Sequence, residues 1–510
     1  MKFFLILFFL NACTKPNLID QLQKKDSLSI IFTGNINAEI EPCGCRQFPL
    51  GGIDNVYGAL EEEKKNSSVL FIDTGDSFFQ GTFIPKNEKQ STLAKAHTIN
   101  EALNLTNLNF KILGDQDFSA GVEELKNILK KSKFQIIGSN LKDGIGIPHL
   151  KNFHFNFHDH HFFIISVTNP ETLQAEYQDL FTDPIETISN QINILKKDFQ
   201  FNPENAKHHL YVLSHSGTKF ENRMAEKFPE IDWILGSHSM NFSQKANVIK
   251  KTKLAQMLSR NHYLGKIKYI KNKDEYDYTT FEINDELAKK LTHNPLSVFI
   301  KQKKQEIDQI QINEQNKNNA QFYGMDQIPS ASTCIDCHDT QGTFWQKTAH
   351  SLAYITLHKA NKSHDMECLS CHSLEAKNPK AFIDSTKIVL NSKTDDYWKE
   401  VFAEISPKKS IRELSEEKIY QFSKIWYEKD LKFNTSHNYA NVQCLNCHQQ
   451  DIRHLNSPTE YKSSNLGSMK QNCLNCHNND QSNHWYKDGK LDENLFQQAY
   501  KKVSCPKSLE

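Results

Sequence analysis

The sequence predicts two domains, an α/β domain followed by a mainly α domain with little regular secondary structure. Two observations predict this order. Between residues 28 and 271, short apolar runs typical of β-strands alternate with helical stretches, which is the pattern of an α/β fold. From residue 326 to 510 such runs become rare, and the motif Cys-x-x-Cys-His occurs four times. At 510 residues the chain is long enough for each domain to bury its own core.

The first 27 residues predict export and a tether. The apolar run Phe3–Leu10 is shorter than the roughly 20 residues needed to span a bilayer, and it suits a signal peptide. Leu10–Cys13 resembles a bacterial lipobox, so residues 1–12 are expected to be removed and Cys13 to carry a lipid at the start of a tether over 13–27. This predicts attachment to the periplasmic side of a bacterial membrane. The alternative is an ordinary secretory signal with an incidental cysteine.

The charge balance bears on partners. Lysine plus arginine and aspartate plus glutamate are equal at 61 each, so no excess of positive charge favours nucleic acid as a partner. Residues 272–325 are rich in Gln, Asn and Lys, with a helix expected over Leu296–Asn313. This segment is predicted to be a helical linker between the domains.

The predicted strands of the first domain end in small or polar residues. In α/β folds, ligands bind at the carboxyl ends of the strands, so these residues are candidate binding residues. These strands are Ser29–Thr33, Val69–Asp73, Lys111–Gly114, Phe162–Val167, Leu210–Ser214 and Trp233–Gly236.

Four motifs in the second domain have the spacing of covalent haem attachment. Two thiols three residues apart can form thioethers to one haem, and the following histidine can bind its iron as the proximal ligand. A zinc ribbon also uses Cys-x-x-Cys pairs, but it has no use for a histidine after each one. The motifs are Cys334, Cys337 and His338; Cys368, Cys371 and His372; Cys444, Cys447 and His448; and Cys473, Cys476 and His477.

Each iron also needs a sixth ligand or keeps an open position. The candidate distal ligands are His350, His454, His364 and His437, and the alternative for each is a surface histidine. Histidine on both faces of a haem suits electron transfer, whereas an open position suits substrate reduction.

The segment from Cys334 to about His484 resembles a tetrahaem cytochrome family, the one that includes the electron carrier paired with hydroxylamine oxidation. The shared pattern is a first motif followed by Trp and Thr-x-His-x-x-x-Tyr, then Cys-Leu-Ser-Cys-His, then Asn-Val-Gln-Cys-x-x-Cys-His with a later histidine, and a last motif. The resemblance implies four covalently bound haem c groups, redox protein partners, and His350 and His454 as distal ligands. A long insertion between the second and third motifs, with a helix predicted over Glu413–Leu431, departs from this pattern.

Five sequence blocks in the first domain form a second resemblance. In this order and spacing they resemble the calcineurin-like metallophosphoesterase domain of periplasmic 5′-nucleotidases, a β-sandwich flanked by helices that holds two metal ions. The blocks are Thr33–Asn37, Asp73–Ser77, Gly114–Phe118, Ser214–Gly217 and Gly236–Met240.

The resemblance implies one metal site that has lost its ligands and one that keeps them. Asn35, Asn37 and Met240 replace the ligands particular to the first metal, and Gln116 replaces the catalytic histidine. Amide oxygens and a thioether are poor substitutes for carboxylate and imidazole. The remaining set has two oxygen and two nitrogen ligands suited to one divalent ion of Zn, Mn or Fe, and the alternative is a retired site kept as scaffold. Its members are Asp76, Asp115, His215 and His238.

The block Glu41-Pro-Cys43-Gly-Cys45 resembles one found in a subgroup of nucleotidase-like domains. Cysteines two residues apart form a disulfide only with strain, so Cys43 and Cys45 are candidate redox thiols or a metal-binding pair. Two buried cysteines without a role are the alternative.

These features predict an exported, lipid-anchored tetrahaem cytochrome that transfers electrons, joined to a degenerate metallophosphoesterase-like domain. One alternative is a redox enzyme for a small nitrogen or sulfur compound. The other is a metal-dependent hydrolase of phosphate or related esters. The resemblance places the haem motifs where 5′-nucleotidases carry their nucleotide-specificity domain, so nucleotides are not the expected substrate.

Overall fold

A computed structural model describes most of the chain, and its elements define the two domains. The described residues are 18–42, 49–84, 88–239, 241–271, 273, 276–317, 329–374, 388–390, 393–435, 437–448, 454, 469–487 and 489–506. The strands are, in chain order, β1 (Ser27–Thr33), β2 (Ser68–Asp73), β3 (Phe110–Lys111), β4 (Gln135–Ile136), β5 (Phe153–Phe157), β6 (His160–Thr168), β7 (His208–His215), β8 (Trp233–Ser237), β9 (Asn247–Ile249), β10 (Thr252–Gln256), β11 (Tyr263–Ile270), β12 (Tyr276–Glu282), β13 (Val389–Leu390), β14 (His437–Asn438), β15 (Tyr486–Lys487) and β16 (Lys490–Leu491). The helices are α1 (Leu18–Leu22), α2 (Ile53–Lys64), α3 (Lys89–Leu105), α4 (Val122–Leu129), α5 (Ala175–Gln178), α6 (Pro184–Asp198), α7 (Thr218–Lys227), α8 (Asp285–Lys289), α9 (Pro295–Lys317), α10 (Ala331–Ile335), α11 (Asp339–Trp345), α12 (Ala353–Lys359), α13 (Met366–His372), α14 (Thr394–Glu404), α15 (Glu416–Lys432), α16 (Cys444–Cys447), α17 (Met469–Cys476) and α18 (Glu493–Lys501).

Two six-stranded mixed sheets form the first domain, in the orders β12-β11-β1-β2-β3-β4 and β5-β6-β7-β8-β10-β9. In the first sheet β1 to β4 are parallel, and in the second sheet β6, β7, β8 and β10 are parallel. Parallel strands direct their carboxyl ends to one edge of a sheet, so the loops that follow them are brought together there.

The two sheets pack face to face around an apolar core and are covered by helices outside. Ile30 and Leu70 of the first sheet share this core with Ile164 and Leu213 of the second. Helices α2, α3 and α4 cover the outer face of the first sheet, and α6 and α7 cover that of the second. The predicted β-sandwich flanked by helices is confirmed.

Local sequence explains how such a covering helix forms. In α6, Asp183 caps the amino end by accepting a hydrogen bond from the amide of Glu186, and Pro184 occupies the first turn, where its missing amide proton costs nothing. Ile188, Ile192 and Leu195 then recur at helical spacing and are buried against the sheet.

The first domain extends beyond residue 271, the predicted boundary. β12 pairs antiparallel with β11 along its length and widens the first sheet. The helix expected over Leu296–Asn313 is confirmed as α9, but the helix is not a free spacer. Its residues Leu296, Ile300 and Ile307 are buried in the core beneath α2 and α3, because they recur on one side of the helix.

The second domain is mainly helical, with short helices and two small two-stranded sheets. Its apolar core combines α12 and α13 with α14 and α15 of the insertion between the second and third motifs. Ile419, Phe422 and Trp426 form the buried side of α15, so the helix predicted over Glu413–Leu431 is confirmed. Within the described residues, no helix combines the length and the apolar character needed to cross a membrane.

Candidate metal centre and haem-attachment motifs

Four metal-ligating side chains converge at the carboxyl ends of parallel strands. Asp76 follows β2 and Asp115 follows β3, whereas His215 ends β7 and His238 follows β8. One potential ligand atom from each side chain lies within 4.8 Å of the others. The structure therefore brings together all four residues predicted for the remaining metal site, two from each sheet.

Hydrogen bonds aim these side chains inward. His215 Nε2 lies 2.9 Å from Asp115 Oδ1 and 3.2 Å from Asp76 Oδ2, and His238 Nδ1 lies 2.8 Å from Asp115 Oδ1. His215 Nδ1 lies 3.0 Å from the carbonyl oxygen of Thr74, to which it can donate its proton. Metal-binding histidines are commonly oriented by such a carbonyl.

Burial and mutual contact shift the pKa values of three of these four side chains. Burial raises the pKa of Asp76. Burial opposes ionisation of Asp115 too, but hydrogen bonds from His215 and His238 hold its pKa well below the usual range. Burial acts to lower the pKa of His215, yet the carboxylates of Asp76 and Asp115 raise it well above its ordinary value. Two carboxylates and two imidazoles suit Zn, Mn or Fe as a divalent ion, so the donor set fits a metal.

The loops of this centre have unusual backbone conformations. Asn35, Asn37, Asp76 and His238 have φ values of 52°, 53°, 59° and 74°, in the left-handed region that side chains other than glycine seldom adopt. Such conformations are costly and concentrate at functional sites. Their recurrence around one cluster supports a functional role for it.

Neutral amides stand where the sequence analysis placed the lost first-metal ligands. Asn35 Oδ1 accepts a hydrogen bond from the backbone amide of His238 at 3.1 Å, and the backbone amide of Gln116 donates to Asp76 Oδ1 at 2.8 Å. Among the described residues, Asn35 Nδ2, Asn37 Oδ1 and Gln116 Oε1 find no hydrogen-bond partner. These atoms supply a free donor and two free acceptors next to the cluster.

A second group of residues, which sequence reasoning missed, holds the Asp76 loop. Asp117 accepts hydrogen bonds from the backbone amides of Asp76, Ser77, Phe78 and Gly114. Its carboxylate lies 3.1 Å from the ammonium of Lys111, which is fully buried. Burial acts to lower the pKa of Lys111, but the carboxylates of Asp117 and Asp73 raise it. The only sequence signal was the position of Asp117 inside the Gly114–Phe118 block.

Gly114 is required because the carboxylate of Asp76 takes the space of a side chain there. A Cβ at this position would lie 2.1 Å from Asp76 Oδ1 and 2.7 Å from the His215 ring. The glycine of this block is thus part of the centre although it offers no ligand.

The four Cys-x-x-Cys-His motifs lie on short helical turns. The backbone amide of the motif histidine bonds to the carbonyl of the first cysteine in three motifs, at 3.0 Å for His338, 2.8 Å for His448 and 2.8 Å for His477. In the second motif, α13 spans both cysteines and His372. The two thiols and the imidazole of each motif are therefore held within one helical turn.

Two motif histidines are oriented as proximal ligands commonly are. His372 Nδ1 lies 2.7 Å from the carbonyl oxygen of Ala353, and His477 Nδ1 lies 2.9 Å from Ser482 Oγ. With Nδ1 engaged, Nε2 remains for an iron. Burial lowers the pKa of His477 to about 3 and that of His350 to about 4, so both imidazoles are neutral.

Two histidine pairs in the second domain each combine a motif histidine with a predicted distal ligand. The ring centres of His338 and His454 are 6.2 Å apart with ring planes at 14°, and those of His350 and His477 are 6.2 Å apart with planes at 52°. An atom bound to both nitrogens at about 2.0 Å each would separate two imidazole centres by roughly 6 Å. The ring-centre distances of these two pairs are therefore compatible with one metal atom between the rings of each pair.

The other predicted site residues have different settings. His364 Nε2 lies 3.1 Å from Asp308 Oδ1 on α9, so this distal candidate contacts the first domain. The side chain of His437 lies outside the described residues, as do Cys13, Cys43, Cys45 and Met240. Lipidation at Cys13 and redox chemistry at Cys43 and Cys45 stay predictions.

Comparisons with known proteins agree with this division of the chain. The first domain is similar to the protein 5NUC of Lutzomyia longipalpis, with 30% identity over 203 residues, which are 38% of this chain and 33% of the relative. It is similar to the 5′-nucleotidase of Mus musculus, with 25% identity over 238 residues, 43% of this chain and 39% of the relative. The first domain has a metallophosphoesterase-like fold.

The matches cover only parts of the relatives and of the second domain. The chain spans between a third and two fifths of the length of these two curated relatives. Residues 333–395, which include the first two Cys-x-x-Cys-His motifs, match the family model described as cytochrome c554 and c-prime. A solved 5′-nucleotidase precursor from Thermus thermophilus aligns with 63% of this chain and 70% of its own, at 17% identity and a TM-score of 0.45. The metallophosphoesterase-like domain is thus followed by a helical region consistent with a mainly α cytochrome domain.

Proposed function

We propose that the first domain is a metal-dependent hydrolase of phosphate or related esters. The observation that carries this proposal is the convergence of Asp76, Asp115, His215 and His238 within 4.8 Å. The curated relatives, several of which are named 5′-nucleotidases, support the hydrolase over electron transfer, which the sequence analysis favoured. A divalent ion held by these four side chains supplies Lewis-acid chemistry towards an ester oxygen.

The side chains around the ligands would orient the ester. His215 is fixed by Thr74 and the Asp76 loop by Asp117, so the centre is rigid before an ester arrives. The free Nδ2 of Asn35 is a donor for an ester oxygen. The amides are neutral, and a dication would be balanced by two carboxylates. The site therefore favours esters with a single negative charge, such as phosphate diesters.

Metal content and hydrolysis test this proposal together. The purified full-length protein is expected to contain about one Zn, Mn or Fe per chain beyond haem iron and to hydrolyse bis(p-nitrophenyl) phosphate faster than p-nitrophenyl phosphate. Asp115→Asn should lose both the metal and the hydrolysis, whereas Asp143→Asn, whose side chain is 83% exposed, should keep both. Absence of the extra metal from the unaltered protein would exclude the hydrolase.

We also propose that the second domain carries four covalently bound haem c groups and transfers electrons to redox protein partners. The specific observation in its favour is the 6.2 Å spacing of the two histidine pairs. Covalent haem attachment agrees with export, so we propose that the protein is tethered through Cys13 on the periplasmic side of a membrane. Intact-mass measurement should show four haem additions, and Cys13→Ser should release the protein from membranes.

A further inference from the structure

The two domains meet at a buried arginine. Arg260 lies in the turn between β10 and β11, and its side chain is 14% exposed. Its guanidinium lies 2.8 Å from Glu39, 2.7 Å from Glu367 and 3.7 Å from Asp480. One cation thus joins carboxylates from three separate segments. Burial acts to lower the pKa of Arg260, but these carboxylates raise it well above the ordinary value, so the charge is permanent.

Two of these segments carry haem motifs. Glu367 directly precedes Cys368 of the second motif, and Asp480 follows His477 of the fourth motif by three residues. Gln80 and Ser259 of the first domain strengthen the same contacts, since Gln80 bonds to Glu367 and Ser259 bonds to Asp480. The first domain therefore holds the second and fourth motifs through the same few side chains.

The second and fourth motifs, with Cys447 of the third, also open onto one cavity of about 590 Å³ between the domains. Cys371 and His477 line it from the second domain, and Ile40 and Pro42 line it from the first. Ile307 of α9 completes the apolar part of the wall. A haem attached at either motif would be covered in part by the first domain.

The backbone of Arg260 is tied to the metal centre. Its amide donates to the carbonyl oxygen of Asn35 at 2.8 Å, and Asn35 Oδ1 accepts from the amide of His238. Arg260 itself has a φ of 61°, a left-handed conformation that persists only where the surrounding structure fixes it. The arginine is therefore held rigidly on the first domain.

We propose that Arg260 is a positioning residue that fixes the second and fourth haem motifs against the first domain and raises the reduction potential of the haems attached there. This inference rests on the proposed haem content. A buried cation close to a haem favours the reduced state, because reduction adds a negative charge. Without it, Glu39, Glu367 and Asp480 would lose the cation that they share.

Spectroelectrochemical titration of the full-length protein tests the proposal. Arg260→Gln is expected to lower the reduction potential of two of the four haems and to make the junction between the domains more sensitive to protease. Glu39→Gln, which removes a negative charge from the same cluster, should raise the potential of the same haems. Arg260→Lys keeps the positive charge but lacks the planar guanidinium that can bind two carboxylates at once. Its haem potentials should therefore lie close to those of the unaltered protein, whereas its resistance to protease should be lower.

The controls separate this proposal from the haem proposal. Arg223→Gln, on the exposed side of α7, should change neither the potentials nor the protease sensitivity. If four haems are attached but neither Arg260→Gln nor Glu39→Gln changes their potentials, the role of Arg260 is wrong and the haem proposal still holds. Absence of covalent haem from the unaltered protein would remove the electron-transfer proposal and this inference with it. If Arg260→Gln does not fold, the haem potentials of Glu39→Gln still test whether the charges of this cluster act on the haems.

Discussion

At the scale of single residues, the sequence identified the four side chains that converge at the candidate metal centre but not the residues that hold them in place. Asp76 and His238 are far apart in sequence and yet converge, as their positions after predicted strands implied. The roles of Asp117 and Lys111 were not predicted, because a buried ion pair produces no periodic pattern in the sequence. The role of Gly114 was not predicted either, because it depends on the carboxylate of Asp76, which only the three-dimensional structure places against it.

Gly114→Ala is expected to weaken metal binding at least 10-fold, the lower end of the effect of disturbing residues that support metal ligands. The added Cβ would lie 2.1 Å from Asp76 Oδ1, so this carboxylate must move. Calorimetric titration with Mn²⁺ or Zn²⁺ measures the change. Gly81→Ala is the matched control, because a Cβ there meets nothing within 4 Å. Equal affinities in the two variants would show that Asp76 is not a ligand.

His209 makes the stability of the first domain depend on pH. Burial lowers its pKa to about 3, whereas an unfolded histidine has a pKa near 6.5. Below pH 6.5 this histidine therefore binds a proton in the unfolded chain but stays neutral in the folded chain. The free energy of unfolding consequently falls as the pH falls. Between pH 7 and pH 5 this group should account for a loss of about 2 kcal/mol.

His209→Gln should remove that loss while keeping an acceptor for His160 Nδ1, which lies 2.8 Å from His209 Nε2. Urea denaturation followed by circular dichroism at pH 5, 6 and 7 measures the slope. His154→Gln, which removes an exposed imidazole from β5, is the control. An unchanged slope in His209→Gln would mean that another group causes the dependence.

At the scale of elements, most of the parallel strands were predictable and the antiparallel strands were not. Five of the six apolar runs chosen from the sequence lie in strands, because buried parallel strands are nearly continuous in apolar residues, whereas Lys111–Gly114 overlaps β3 only at Lys111. The short parallel strands β4 and β10 were also missed. β12 was missed since its residues are only partly buried and alternate with polar ones. α9 was found as a helix, but its packing depends on a partner surface formed by α3, which lies far away in sequence.

Leu296→Ala tests whether α9 is part of the first domain. Leu296 is fully buried in the core beneath α2 and α3, so its truncation should lower the free energy of unfolding by about 2–5 kcal/mol. Val298→Ala on the same helix, at a side chain that is 62% exposed, should cost less than about 0.5 kcal/mol. Urea denaturation of both variants compares them, and equal small losses would instead indicate a loosely attached linker.

At the scale of the whole molecule, histidine pairs join distant parts of the second domain. The sequence identified His350 and His454 as distal candidates but could not assign them to motifs, because the assignment depends on how the short helices pack. The structure pairs His350 with the fourth motif and His454 with the first. His364, in contrast, lies against Asp308 of α9 and belongs to the contact between the domains.

These pairings predict which haem changes when a distal histidine is removed. His350→Gln and His454→Gln should each convert one of the four proposed haems from low spin to high spin, since a glutamine side chain is a weaker iron ligand than imidazole. The double variant should convert two haems, because the pairs use different motif histidines. Electron paramagnetic resonance of the oxidised protein counts the high-spin centres, and intact mass confirms that all haems remain attached.

His364→Gln should leave the spectrum unchanged and affect only the resistance of the domain junction to protease. A high-spin signal in His364→Gln, or its absence in both His350→Gln and His454→Gln, would contradict the pairing, and the cavity between the domains would then hold a differently ligated haem.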